Sequence, residues 1–152
     1  MNKITCTRRI HFCSGHRVFR HEGKCANPHG HNYYAHITAE ADALDSTGRV
    51  IDFSVLKERV GSWIDKYWDH TFIVFEKDEE MVRSLEMVCS PKKPFLAPFN
   101  PTAENMADYL LRTICPKVLQ GTGVKVSKVI IYETDNCCAE ATLETEVLCQ
   151  SI

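Results

Sequence analysis

The sequence predicts an antiparallel α+β fold, in which strands come in hairpin pairs and helices pack against the sheet. Alternating strand patterns occupy both ends of the chain, and two segments with helical spacing lie between them. The 152 residues contain no repeat, low-complexity tract or linker, which predicts one domain over 1–152. The expected order is strand, strand, helix, helix, strand, strand.

The first hairpin is predicted from two strands separated by a polar loop at 21–28. Its first strand runs from Ile4 to His16 and its second over 29–40. Because strand side chains alternate between the two faces of a sheet, every second residue of 29–40 belongs to one face. That face holds His29, His31, Tyr33, Ala35, Ile37 and Ala39.

Two helices follow in the pattern, each with a residue suited to cap its first turn. Asp52 is the expected N-cap of a helix from Phe53 to about Trp68, and Thr102 that of a helix limited by Pro116. Each has an apolar stripe at helical spacing, which predicts packing of one side against the sheet.

An irregular segment and a second hairpin complete the chain. Segment 76–100 contains three prolines that keep it irregular, with at most a short helix around Glu79–Val88. The last hairpin is predicted from a strand over Val124–Glu133 and another over Ala139–Leu148.

Composition excludes several functional classes. The 18 basic and 20 acidic residues give a net charge of −2, which offers no support for a nucleic-acid or membrane-surface protein. No apolar run approaches the roughly 18 residues of a membrane span, and Met1–Arg9 lacks the apolar core of a secretory signal. We therefore expect a cytoplasmic protein whose eight cysteines are reduced thiols.

The histidine pattern His29-Gly30-His31 puts two imidazoles on one strand face, about 7 Å apart along the chain. Two converging imidazoles form half of a tetrahedral zinc site, and His16 at the end of the first strand is the natural third ligand. Three histidines with an open fourth position are typical of catalytic zinc. The competing interpretation is a polar strand with two surface histidines.

Other candidate groups lie in loops and at the ends of elements. Cys25, in a loop four residues before His29, is either a reactive thiolate or a half-buried structural thiol. Asp69-His70 is either an acid–imidazole pair or a helix end. Glu133 follows a buried run, so it is a ligand anchor or a strand end reaching solvent. Thr102 is foremost a helix cap.

Taken together, these segments resemble the 6-pyruvoyltetrahydropterin synthase / 6-carboxytetrahydropterin synthase family from Arg9 to Leu143. The matching strings are SGHR at 14–17, KCANPHGHN at 24–32, WDH at 68–70, PTAEN at 101–105 and YET at 132–134. Two features depart from the family: Trp68 stands where Leu is usual, and segment 76–100 is long and carries no family motif, so we expect it to affect substrate choice.

The resemblance implies the tunnelling fold, a four-stranded antiparallel sheet with two helices on one face. It also implies trimers whose sheets close into a barrel, hexamers built from two trimers, and active sites between subunits, so that a lone monomer is inactive. The implied zinc ligands are three histidines, His16, His29 and His31. The implied proton-transfer groups are the Cys25 thiol and the acid–imidazole pair Asp69–His70. The implied pterin contacts are the Glu133 carboxylate, which would bind in a bidentate manner, and the backbone of Thr102 and Ala103. Glu104 is implied as a second acid in the pocket.

The implied substrate is 7,8-dihydroneopterin triphosphate, and two products are open. The short Cys-x3-His-Gly-His spacing resembles the bacterial enzymes that release acetaldehyde and triphosphate to give 6-carboxytetrahydropterin for queuosine. The string YETDN at 132–136 and the Asn-Pro before His29 resemble the 6-pyruvoyl enzymes of tetrahydrobiopterin synthesis. We favour the 6-carboxy product.

Two functions of different classes also fit the same residues. One is a non-catalytic pterin-binding homologue that keeps the fold. The second is a thiol hydrolase that uses Cys25 and His70, with the histidine pair in a structural role. For a triphosphate group, the possible contacts are the basic residues near the first strand end, Arg17, Arg20 and Lys24.

Overall fold

A computed structural model of the chain describes residues 3–144, which form one twisted sheet and three helices. The strands are β1 (Thr5–His16), β2 (His29–Glu40), β3 (Thr71–Phe75), β4 (Phe95–Ala97), β5 (Lys125–Thr134) and β6 (Cys137–Thr142). The helices are α1 over 53–67, α2 (Glu79–Val88) and α3 over 103–118. A π-helical turn interrupts α1 at Lys57–Gly61 and α3 at Leu110–Ile114. The sheet order is β4-β3-β1-β2-β5-β6.

The helices begin where their capping residues place them. The Asp52 carboxylate accepts a hydrogen bond from the Ser54 N–H at 2.8 Å, and the Thr102 hydroxyl accepts one from the Asn105 N–H at 3.2 Å. Each bond satisfies a first-turn donor that has no partner within its helix. The predicted caps of α1 and α3 are confirmed, as is the short helix at Glu79–Val88.

The prediction of a four-stranded antiparallel sheet is wrong in strand number and direction. Strands β1, β2, β5 and β6 pair antiparallel as expected. However, β3 pairs parallel to β1, and β4 pairs parallel to β3. The apolar run Thr71–Phe75 is too short to show a period, and pairing of strands this short is decided by the neighbouring strand. Strand β6 ends at Thr142, and residues 145–148 of the predicted last strand lie outside the described part.

One face of the sheet forms the core together with the helices. The predicted face of β2 is confirmed, since Tyr33, Ala35, Ile37 and Ala39 are fully buried. They pack with the apolar stripes of α1 and α3 in one cluster. His29 and His31 continue the same face at the start of β2, so their side chains lie at the end of the core. Within residues 3–144, none of the helices has the length and apolar character needed to cross a membrane.

Segment 76–100 is tied to β1 by a buried ion pair. Asp78 caps α2 through the Met81 N–H and accepts two bonds from the Arg17 guanidinium, at 2.6 and 2.5 Å. Its side chain is 2% exposed, whereas Asp108 and Arg112 form an ion pair with both side chains 53% exposed. Removing one partner of a buried pair leaves an uncompensated charge.

We therefore expect Asp78→Ala to lower the free energy of unfolding by about 3 kcal/mol. The matched replacement Asp108→Ala, which breaks an exposed pair, is expected to lower it by less than about 0.5 kcal/mol. Urea unfolding of both variants provides the comparison. Equal effects in the two variants would contradict a structural role of the Arg17–Asp78 pair.

Candidate active site

Three histidines meet at the ends of the first two strands. His16 ends β1 and lies opposite His29 in the antiparallel register, with His31 two residues further along β2. The Nε2 atom of His16 is 3.1 Å from that of His29 and 3.2 Å from that of His31. The three ligand atoms lie within 4.8 Å of one another. The structure thus brings together the three predicted metal ligands.

The surroundings of these imidazoles leave their Nε2 atoms available to a metal. His16 Nδ1 lies 2.6 Å from the Pro101 carbonyl, and His29 Nδ1 lies 2.7 Å from the Asn27 carbonyl. A carbonyl can only accept, so each Nδ1 carries the proton and each Nε2 keeps its lone pair. Burial lowers the pKa of His16 to about 4 and lowers that of His31. Neutral imidazoles converging on one point fit Zn²⁺.

Glu133 is adjacent to this cluster. Its carboxylate oxygens lie 3.9 Å from His16 Nε2 and 3.8 Å from His31 Nε2, and its side chain is 26% exposed. Burial raises the pKa of Glu133, and the Glu104 carboxylate raises it further. Of the two interpretations of Glu133, the structure therefore favours a partly buried acid within the site over a strand end in solvent.

The start of α3 brings the predicted pterin contacts to the same region, with one difference. The Thr102 N–H already donates to the Asn100 carbonyl at 2.8 Å, and its hydroxyl caps the helix. Thr102 therefore has no spare N–H for a ligand. Ala103 is buried in the first turn, and Glu104 is exposed. Since the first N–H groups of a helix lack intrahelical partners, Ala103 is better suited to the backbone contact than Thr102.

Cys25 is held by its backbone. It lies in a single 3-10 turn (Lys24–Ala26), and its carbonyl accepts a hydrogen bond from the Val18 N–H at 2.8 Å. The residue is half-buried, and within residues 3–144 its thiol makes no hydrogen bond with Asp69 or His70. The described residues therefore do not join Cys25 to these predicted partners.

The Asp69–His70 pair exists, and it lies at the edge of β1, directly before the residues of β3 that pair with that strand. Asp69 Oδ2 is 2.7 Å from His70 Nδ1, while Asp69 Oδ1 accepts from the Cys13 N–H at 2.8 Å. Partial burial raises the pKa of Asp69, but the bonds from Cys13 and His70 outweigh it and lower the pKa.

A shallow cavity of about 430 Å³ lies beside this pair. His31 and His70 both line it, together with the cross-strand neighbours Gly15 and Gly30. A Cβ at Gly15 would lie 2.6 Å from the Phe72 ring, and one at Gly30 would lie 3.1 Å from the Ser14 carbonyl. A side chain at Gly15 would therefore collide with the Phe72 ring, and one at Gly30 would pack tightly against the backbone of β1.

Three features of the site escape the sequence patterns. Tyr33 packs edge-on against His16 and His31, with ring centroids 5.9 and 5.2 Å apart. Burial and the nearby Glu133 raise its pKa, and its hydroxyl has no hydrogen-bond partner within residues 3–144. The carbonyls of Asn27 and Pro101, which orient the imidazoles, are the other two. Backbone acceptors leave no signal in a residue pattern. Tyr33 could have been found, because it lies on the same face of β2 as His29 and His31.

Of the three basic residues considered as triphosphate contacts, Arg17 is already paired with acidic side chains. Its guanidinium binds Asp78 on two oxygens and lies 3.7 Å from Glu80. The Arg20 guanidinium lies over the Phe19 ring, 5.0 Å from its centroid. Lys24 flanks Cys25 in the exposed turn. Arg20 and Lys24 remain the candidates for an anionic ligand.

Comparison with known proteins identifies relatives over nearly the whole chain. A family model described as 6-pyruvoyl tetrahydropterin synthase matches residues 5–144. A protein of Rickettsia felis named 6-carboxy-5,6,7,8-tetrahydropterin synthase is 42% identical over 137 residues, covering 90% of this chain and 99% of that protein. A protein of Aquifex aeolicus with the same name is 31% identical over 160 residues, covering 91% and 97%.

Solved structures share the fold. An uncharacterized protein of Wolinella succinogenes superposes with a TM-score of 0.76 at 24% identity, covering 95% of this chain and 100% of its own. The 6-pyruvoyl tetrahydropterin synthase of Caenorhabditis elegans gives 0.65 at 24% identity, covering 95% and 98%. At this identity the likeness concerns the fold and carries no choice of substrate.

Proposed function

This chain belongs to the 6-pyruvoyl tetrahydropterin synthase family, and we propose that it is a zinc-dependent 6-carboxy-5,6,7,8-tetrahydropterin synthase. The proposed reaction converts 7,8-dihydroneopterin triphosphate to 6-carboxytetrahydropterin, acetaldehyde and triphosphate, a step of queuosine biosynthesis. The observation that carries the proposal is the cluster of three converging imidazoles beside Glu133. The choice of product is supported by relatives of about 40% identity that have this name.

His16, His29 and His31 are the residues that would hold Zn²⁺, through their Nε2 atoms. Bound zinc supplies Lewis-acid stabilisation of negative charge on the oxygens of the substrate side chain. The Pro101 and Asn27 carbonyls keep two of these imidazoles in the tautomer that can ligate. Outer hydrogen bonds of this kind fix the orientation of a ligand as well as its protonation.

Glu133 and the first turn of α3 are proposed to bind the pterin ring. A carboxylate can accept two parallel N–H bonds from the guanidine-like edge of a pterin. The Ala103 N–H is the backbone donor proposed for the same ring, and Glu104 contributes a second acid at its rim. With Glu133 next to the histidines, the ring would bind with its side chain close to the metal.

Cys25, Asp69 and His70 are proposed to move protons at the substrate side chain. Asp69 accepts from His70 Nδ1, which orients the ring and leaves Nε2 to take or give a proton. The thiol of Cys25 is the second proton carrier. Because no hydrogen bond joins Cys25 to the pair within residues 3–144, we propose that a neighbouring subunit completes the site in a homohexamer of two trimers. The cytoplasmic location stays a prediction.

The proposal is tested by incubating the zinc-loaded protein with 7,8-dihydroneopterin triphosphate and identifying the products by mass spectrometry. We expect 6-carboxytetrahydropterin and acetaldehyde, and we expect chelation of zinc to abolish turnover. A 6-pyruvoyl product without acetaldehyde would assign the chain to the tetrahydrobiopterin route instead. Activity that survives complete zinc removal would favour thiol chemistry at Cys25. Pterin binding without turnover would identify a non-catalytic homologue.

A further inference from the structure

Lys92, in segment 76–100, holds the turn that carries Asp69 and His70. Its ammonium donates to the Asp65 carbonyl at 2.6 Å and also to the Asp69 carbonyl. The first acceptor lies in the last turn of α1 and the second just beyond its end. One side chain from segment 76–100 thus contacts the backbone on both sides of the helix terminus.

The helix end needs such a donor. The N–H groups of Trp68 and Asp69 both bond to the Ile64 carbonyl, each at 2.8 Å. The Asp69 N–H therefore bypasses the Asp65 carbonyl, its regular partner four residues earlier. The carbonyls of a last turn have no intrahelical donors and form the negative end of the helix dipole. At the Asp65 carbonyl, the Lys92 ammonium supplies the missing hydrogen-bond donor and also places a positive charge at the negative end of the dipole.

The turn itself is fixed at several points. The His70 N–H donates to the Cys13 carbonyl at 2.7 Å, and His70 has a positive φ of 54°. Only Gly adopts this left-handed conformation readily, so other contacts must hold His70 in it. The Thr71 hydroxyl donates to the Lys93 carbonyl at 2.8 Å. The loop at 92–93 therefore binds the turn on both sides of His70.

We propose that Lys92 is a positioning residue, which sets the orientation of the Asp69–His70 pair through the Asp65 and Asp69 carbonyls. This inference rests on the proposed function, in which that pair moves protons. Its basis is the double contact of one ammonium with the Asp65 and Asp69 carbonyls, for which residues 3–144 supply no other hydrogen-bond donor. The Lys92 charge also contributes to the lowered pKa of Asp69, alongside the bonds from Cys13 and His70.

The test compares three variants of the zinc-loaded full chain: Lys92→Met, Lys92→Arg and Lys93→Met. Met keeps the length of the side chain and removes its donors, whereas Arg keeps them. The Lys93 side chain makes no hydrogen bond or ion pair within residues 3–144, so its variant is the matched control. The measurements are kcat and KM with 7,8-dihydroneopterin triphosphate, zinc content, and hydrogen exchange of the Asp69 and His70 amides.

Lys92→Met is expected to lower kcat about 10- to 100-fold, the cost of a small misplacement of a catalytic group. We expect its KM and zinc content to stay close to those of the parent chain, and exchange at Asp69 and His70 to rise about tenfold. Lys92→Arg should restore most of kcat, and Lys93→Met should match the parent. Unchanged kcat and exchange in Lys92→Met, or equal losses in both Met variants, would overturn the proposal.

The exchange measurement separates this inference from the proposed function. If the parent chain does not turn over the substrate, the proposed function fails while exchange at Asp69 and His70 still reports whether Lys92 holds the turn. If the parent is active and Lys92→Met loses zinc together with kcat, the residue has a general structural role and the proposal is overturned.

Discussion

Replacement of His29 by Ala is expected to remove both the zinc and the activity. His29 is one of three imidazoles whose Nε2 atoms converge, and its loss leaves two protein ligands where catalytic zinc sites have three. A metal ion contributes several kcal/mol to a transition state that develops charge on oxygen. Since each 1.36 kcal/mol is a factor of ten, we expect kcat to fall by about 1,000-fold or more.

His36 provides the matched control for His29. It lies on the same strand, β2, with its side chain on the other face, where its ring lies 5.0 Å from that of Tyr132. His36→Ala should keep stoichiometric zinc by elemental analysis and most of kcat. If His29→Ala retained zinc and turnover, the interpretation as a polar strand with surface histidines would be correct.

Replacement of Cys25 by Ala is expected to stop proton transfer while the metal stays bound. General acid–base groups contribute about 10²- to 10⁴-fold to rate, so kcat should fall within that range. The thiol is not among the residues of the histidine cluster, so zinc content should not change. The measurement is kcat together with zinc content, on protein of confirmed oligomeric state.

Cys6→Ala is the control for a general effect of losing a thiol, since Cys6 is also half-buried and free. It should retain full kcat. A Cys25→Ala variant with kcat within threefold of the parent would make Cys25 a structural thiol. Mixing Cys25→Ala subunits with His70→Ala subunits should restore part of the activity if the two residues meet across an interface. No recovery after verified subunit exchange would place the thiol and the imidazole in one subunit.

Much of the fold could be predicted because its signals are local. Asp52 and Thr102 cap helices through hydrogen bonds two or three residues away, and such contacts depend on adjacent residues alone. The core face of β2 follows from the period of two, which puts His29 and His31 on the same face as Tyr33. A strand pattern that ends in two histidines therefore predicts where both imidazoles lie.

Parallel strands β3 and β4 could not be predicted in the same way. Thr71–Phe75 and Phe95–Ala97 have five and three residues, which is too short for a clear period. Strand β4 pairs with β3, and β3 lies beside β1, where Ser14 pairs with Thr71 and Arg17 binds Asp78. The last two contacts join residues about 60 positions apart, so no local pattern contains them.

The sequence by itself determined the two capped helices, the four antiparallel strands, the core face of β2, and the residue types that can bind zinc and move protons. Only the tertiary structure decided how they meet: His16 opposite His29, Glu133 beside the cluster, and Asp69–His70 at the edge of β1 next to β3. The physical reason is the sequence distance over which each kind of contact acts. Caps and side-chain alternation depend on neighbours along the chain, whereas a site depends on strand register and on helix ends held by distant side chains such as Lys92.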